Sequence, residues 1–179
     1  AKDELILAIS RHATSKIRNL EDLEQIGSLG FRGEALPSIA SVSRLSICSR
    51  QINKEQTTTE QTDSIHGWKI NARDDQEPMP DASPPGTTIE VRELFYNVPA
   101  RKKFLRTEQT EYKHIESLFK TLALSHPLVA FRLIHNQKTI YQLRVADNLD
   151  EQRQRLAMLC GKDFADSLIE INIEIEDLR

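Results

Sequence analysis

Little in this chain would hold it together covalently or carry it into a membrane. Two of its 179 residues are cysteines. Cys48 and Cys160 stand far apart and match no zinc spacing, so they read as reduced packing thiols and not as a disulfide or a metal site. No window approaches the run of about 18 apolar residues that marks a membrane helix. The opening Ala1-Lys2-Asp3-Glu4 has no apolar stretch of the kind a secretory leader carries, so the expectation is a soluble, cytoplasmic protein. An excess of positive charge is missing too: 24 Lys and Arg stand against 27 Asp and Glu, for a formal net charge of −3. Dedicated nucleic-acid modules neutralise several phosphates and are usually basic, so that class is disfavoured. The five histidines, His12, His66, His114, His126 and His135, are scattered at no ligand spacing. No internal repeat or heptad run is present, which removes solenoids and coiled coils.

What remains is a chain that is 39% hydrophobic and 28% charged, enough to bury a core. Its charge is uneven. Arg101 to Lys120 holds six bases against three acids, and Asp163 to Asp177 holds six acids and no base. Apolar residues at helical spacing predict helices over 3–12, 31–40, 107–124 and 151–160, with a short one at 20–25. On the long helix Tyr112, Ile115, Leu118, Phe119 and Leu122 share a face in this reading, Thr107 caps the start and Pro127 ends it. Alternation predicts strands over 42–50, 68–73 and 88–94, an antiparallel group. A hairpin is expected from 129–134 and 139–145 around Asn136-Gln137. A last strand is expected over 168–176, where Ile171, Ile173 and Ile175 alternate with polar residues. The stretches 51–64 and 77–86, the latter with four of the seven prolines, read as loops. A domain boundary is placed at 125/126.

Glycine is rare, six in all, yet three crowd into Gly27-Ser28-Leu29-Gly30-Phe31-Arg32-Gly33-Glu34-Ala35-Leu36. Glycines let backbone amides approach an anion, a helix start offers unpaired donors, and Arg32 adds a charge-assisted bond, so this stretch suits a phosphate. Pattern alone also fits two turns with Arg32 paired to a surface acid. Ala13-Thr14-Ser15-Lys16 sets two hydroxyls beside an ammonium, without the glycine frame of a Walker-type loop. On its own it reads as a helix end with its favourable lysine. Gly86-Thr87-Thr88-Ile89-Glu90-Val91 enters a strand with two threonines. The run Arg101-Lys102-Lys103 with Arg106 is the best DNA-facing candidate, weighed evenly against a solvated helix entry.

Taken together and in order, His12-Ala13-Thr14-Ser15-Lys16-Ile17, Ser28 to Ile39 with its Gly-Phe-Arg-Gly-Glu-Ala-Leu core, Gly86-Thr87-Thr88 and Leu94-Phe95-Tyr96-Asn97-Val98-Pro99-Ala100-Arg101-Lys102-Lys103-Phe104-Leu105 resemble the MutL family of DNA mismatch repair proteins. The resemblance is strongest over 1–124 and looser over 125–179. It implies an α+β fold: an incomplete GHKL-type ATPase α/β sandwich over 1–125, followed by the start of a transducer domain like domain 2 of ribosomal protein S5 over 126–179. Thr14, Ser15 and Lys16 then match positions near phosphate, Gly30, Phe31, Arg32 and Gly33 the phosphate-facing ATP lid, and Thr87 and Thr88 the strand near adenine. The family's catalytic Glu, its magnesium-binding Asn and its Asp-x-Gly-x-Gly stretch match nothing here, and its transducer lysine is expected beyond Arg179. No catalytic residue is therefore assigned. The parent is expected to be a slow ATPase using ATP and magnesium, and this fragment alone to be inactive and to hold no nucleotide stably. The implied partners are MutS, a downstream endonuclease and helicase, a second copy of the parent, and DNA bound weakly through its backbone, in the cytoplasm of a bacterium. Another GHKL ATPase, such as a topoisomerase subunit or chaperone, and a nucleotide-independent nucleic-acid module are the competing readings.

Overall fold

In the computed structural model, residues 2–13, 32–51, 66–72 and 77–169 are described. The first helix, α1 (Lys2–Ile9), opens with Asp3 and Glu4, where the positive end of the helix dipole favours acids, and buries Leu5. It ends before the expected residue 12, because the Ser10 hydroxyl donates to the Ile6 carbonyl (2.7 Å) and His12 turns left-handed, at φ 61°. The second, α2 (Ala35–Val42), starts later than the predicted residue 31, after Gly33 at φ 68° interrupts any helix begun upstream.

Four antiparallel strands follow, β1 (Arg44–Arg50), β2 (Gly67–Asn71), β3 (Met79–Asp81) and β4 (Gly86–Arg92), in the order β3-β2-β1-β4. Leu45 and Ile47 alternate inward from central β1 and are buried with Leu5, Ala40 and Ile70, while Leu36, Ile39 and Trp68 pack around them. Helices and sheet thus form two layers. Strand β3 lies inside the proline-rich stretch read as a loop. It is an edge strand pairing only with β2, where Pro80 needs no second ladder partner, and this is why proline did not preclude it. After β4 a turn leads to the short helix α3 (Pro99–Lys102), with proline at its start as helices tolerate.

Residues 106–179 form a compact unit apart from 1–105. It holds α4 (Glu108–Ser125), the hairpin β5 (Phe131–His135) and β6 (Lys138–Leu143), α5 (Leu149–Cys160) and α6 (Lys162–Asp166). Thr107 caps α4 and Asn148 caps α5, each accepting from a backbone N–H three residues on. Asn136 and Gln137 both take positive φ, 46° and 65°, as a tight hairpin turn requires. Gly161, at φ 99°, divides α5 from α6. The expected face of α4 differs from the one buried. Phe119 and Ala123 pack with Phe131, Tyr141, Leu143 and Leu159, and Glu116 accepts the Tyr141 hydroxyl (2.7 Å), whereas Ile115 and Leu118 are exposed. Shared packing with the hairpin and α5 places α4 in this unit, so the compact units divide at 105/106 and not at 125/126. The expected helix at 20–25 and all but the first two residues of the expected last strand fall outside the described residues.

The second unit is organised around Arg155, which is 3% exposed. Its guanidinium donates to the carbonyls of Ala123 and His126 at the end of α4, of Pro127 and Val129 in the following loop, and of Arg144 after β6. Carbonyls at a helix end have no partner within the helix, and one buried cation serves this group. Burial pulls the guanidinium below the usual arginine range, yet its donors are all aimed at acceptors. Arg155→Leu is expected to lower stability by about 3 kcal/mol or more, since each buried acceptor left without a donor costs about 1–3 kcal/mol. Urea unfolding of wild type and variant measures this, and a loss under about 1 kcal/mol would remove Arg155 from that role.

Candidate nucleotide-binding cleft

Helices α1 and α2 cover one face of the sheet but leave open the part formed by β4 and the far end of β1. A cleft of about 600 Å³ results. Leu5 and Ala8 of α1, Leu36 of α2 and Ile47 of β1 form its apolar floor, and Ile89 of β4 its wall. Ile89 and Val91 project on the same face as their partners Ile47 and Leu45, yet are 50% and 44% exposed because no described helix covers them. Ser49 and Thr87 are cross-strand partners at the same opening, and their hydroxyls are 2.9 Å apart. Lys2 sits at the rim, 5.5 Å from the Trp68 ring centre and 3.0 Å from a Glu77 carboxylate oxygen. An apolar floor with a few polar groups at one side is the usual character of a small-molecule site.

The two threonines of the Gly86-Thr87-Thr88 word separate. Thr87 lines the cleft, whereas Thr88 is opposite Cys48 on the other face of the sheet. Burial, with Asp81 nearby, pushes the Cys48 thiol up, away from the thiolate form.

Outside the cleft lining, the end of α1 is tied to the start of α2, the two helices that supply Leu5, Ala8 and Leu36 to the floor. The Glu34 carboxylate accepts from the His12 backbone N–H (2.9 Å) and lies 2.8 Å from His12 Nδ1. Gly33 lies so close to the Ala13 backbone that a β-carbon would collide with the Ala13 carbonyl. Thr14, Ser15, Lys16, Gly30 and Phe31 lie outside the described residues, while Arg32 is exposed. Ala13, the last described residue before 14–31, and Gly33, two residues after that stretch, are thus held against each other. Sequence reasoning missed this pairing of His12 with Glu34, although both stand inside the two motif words.

The basic run has its own support. The Phe95 N–H donates to the Val42 carbonyl (2.7 Å) and the Asn97 side chain to the Ser41 carbonyl (2.8 Å), docking the turn on the end of α2. Glu93 and Phe95 take left-handed backbone there, and Arg44 lies over the Tyr96 ring. Arg101, Lys102 and Lys103 follow, all exposed and none in an ion pair among the described residues. Arg106, also exposed, belongs to the second unit.

No protein-family profile matches the chain. Curated relatives do. The MutL mismatch repair protein of Vibrio vulnificus is 51% identical over 99% of this chain, and those of Histophilus somni and Cellvibrio japonicus are 48% and 50% identical over 100% and 99% of it. The chain belongs to the MutL family. It spans about a quarter of the length of these relatives, 26–28%. The similarity runs through 125–179 as well, where the motif words looked looser. Among solved structures, the Aquifex aeolicus MutL ATPase domain complexed with ADP is 30% identical, with a TM-score of 0.58 over 79% of this chain and 52% of that one. The N-terminal domain of a DNA repair protein, at 21% identity and a TM-score of 0.61 over 89% of this chain and 44% of that one, shares the fold. The fold is therefore the α+β, GHKL-type architecture of MutL ATPase domains. Among the described residues no helix is long and apolar enough to cross a membrane.

Gly33→Ala forces a β-carbon into the Ala13 carbonyl at a left-handed position that itself disfavours L-residues by about 1–2 kcal/mol. A loss of at least that size is expected in thermal unfolding, and a neutral substitution would contradict the close approach.

Proposed function

We propose that this chain supplies part of the nucleotide site of an ATP-dependent DNA mismatch repair factor. The observation that carries the reading is the cleft between α1, α2 and β4, with a hydroxyl pair at its side and its two helices tied together through the motif residues His12 and Glu34. The solved Aquifex relative holds ADP, which supports the reading. A purine has apolar faces and polar edges. Ile47 and Ile89 would take the faces, and Ser49 and Thr87 would meet an edge. Of the two threonines the cleft role is assigned to Thr87. Thr14, Ser15 and Lys16, with Gly30, Phe31, Arg32 and Gly33, are the candidates for the phosphates, where hydroxyls, glycine amides and cations are the fitting donors.

ATP supplies the free energy of a state change, and magnesium neutralises its phosphates when bound. The catalytic Glu and magnesium-binding Asn of the family match nothing in this chain, so the chain alone is not expected to turn over ATP. Binding around the lid would favour association of two copies and close a clamp, a coupling of nucleotide affinity to assembly. In that state the factor would link mismatch recognition by MutS to an endonuclease and a helicase in the bacterial cytoplasm. Arg101, Lys102, Lys103 and Arg106 are assigned to the DNA backbone, in keeping with weak, sequence-independent contact. Residues 126–179 are assigned to the start of the transducer, with α4 packed as part of the same unit.

Steady-state ATP hydrolysis by the full-length protein tests this. Arg32→Ala is expected to lower turnover by about a hundred- to a thousandfold, the scale of one lost donor to developing charge, and the isolated 179-residue chain to show none. Unchanged turnover in the variant, or turnover in the isolated chain, would overturn the assignment.

A further inference from the structure

The start of α2 departs from what a helix start ordinarily carries. Its N-cap is Glu34, whose side chain makes no capping bond to α2, although Ser, Thr, Asp or Asn would cap there. The carboxylate is turned instead to the chain just past α1, where it accepts the His12 N–H (2.9 Å) and meets Nδ1 of the same residue (2.8 Å). His12 holds left-handed backbone at this contact, at φ 61°, and Gly33 beside it does so at φ 68°. A forgone cap and a strained histidine are both costs. The pair itself returns little stability, because the His12 side chain is 86% exposed and water screens such contacts. Stability alone therefore does not account for the arrangement, whereas geometry does.

That geometry reaches both parts of the proposed nucleotide site. Ala8, four residues before His12, and Leu36, two residues after Glu34, lie in the cleft floor, while Glu34 itself does not line the cleft. In the sequence Thr14 follows Ala13 directly and Arg32 directly precedes Gly33, so phosphate candidates are the chain neighbours of the close pair. One carboxylate thus fixes the spacing of the two floor helices and the points from which both phosphate words leave. A nucleotide must meet floor and phosphate donors together. A site already held in its binding form loses no affinity to reorganisation, and one that is not loses affinity by the fraction that is competent. Resting on the nucleotide reading of the cleft, we propose that Glu34 is a positioning residue for ATP, which through His12 holds the free protein in its nucleotide-binding arrangement without touching the nucleotide.

Equilibrium binding of a non-hydrolysable ATP analogue to the full-length protein tests this, with steady-state ATP hydrolysis measured beside it. Glu34→Ala is expected to weaken analogue binding about five- to a hundredfold, the effect of losing two hydrogen bonds that hold the competent form. Its kcat at saturating ATP is expected to stay within about threefold, since bound nucleotide restores the arrangement. Glu34→Gln keeps an acceptor oxygen for His12 and is expected to bind within about threefold of wild type. His12→Ala alters an exposed side chain, keeps the backbone donor and is expected to weaken binding about two- to tenfold. The double variant H12A/E34A is expected to bind no worse than E34A, because both act through one contact. Wild-type affinity in E34A and H12A overturns the proposal, as does a fall in kcat or in thermal stability at unchanged affinity. Should E34A fail to fold, H12A against E34Q decides by the same criterion. If wild type binds no analogue, the nucleotide reading falls and this proposal with it. If R32A lowers turnover while E34A and H12A bind as wild type does, only the positioning role falls.

Discussion

Gly33 and Ala13 meet with no room between them for a β-carbon, and the Glu34 carboxylate beside them takes both a backbone and a side-chain donor of His12. Much of the first unit depends on this contact. It fixes where α1 must stop and where α2 can start, so both helices lie on the same face of the sheet at a set separation. Leu5 and Ala8 from one helix and Leu36 from the other then share one floor. His12 and Gly33 both hold left-handed backbone to allow it, a local cost offset by two polar contacts and the helix packing beneath. A carboxylate that sequence reasoning kept out of catalysis thus has a structural task.

The sheet supplies the other half of the cleft. Central β1 pairs on both sides, which locks its register, and a slip of one residue would turn Leu45 and Ile47 out to solvent. The same register sets Ser49 against Thr87 and leaves Thr88 on the far face. Strand β4, at the sheet edge, carries its apolar residues past the end of the helical layer, and that offset creates the open wall. The turn after β4 docks on α2, so cleft and basic run are mounted on one scaffold.

Much of this was legible in the residues. The alternation of Leu45 and Ile47, the capping Thr107, the turn at Asn136-Gln137 and the break at Gly161 each have a local cause and appear where the sequence placed them. The motif words pointed to the family, and the relatives bear that out. What escaped depends on tertiary partners. Pro80 hid an edge strand because proline is excluded only from paired interiors. Glu116 and Ala123 hid the true inner face of α4, since a carboxylate becomes an inward residue only when a tyrosine hydroxyl meets it. Arg155 went unremarked, since nothing local marks an arginine that will cap another helix.

The central claim is that the cleft and the motif junction that ties its two helices hold a nucleotide together. Hydrogen exchange on the full-length protein, with and without a non-hydrolysable ATP analogue, reads it amide by amide. Slower exchange is expected over 11–16, 30–36 and 86–89, with little change in β2 and β3. Protection absent from these segments, or confined to 99–106, would place the nucleotide elsewhere and contradict the account.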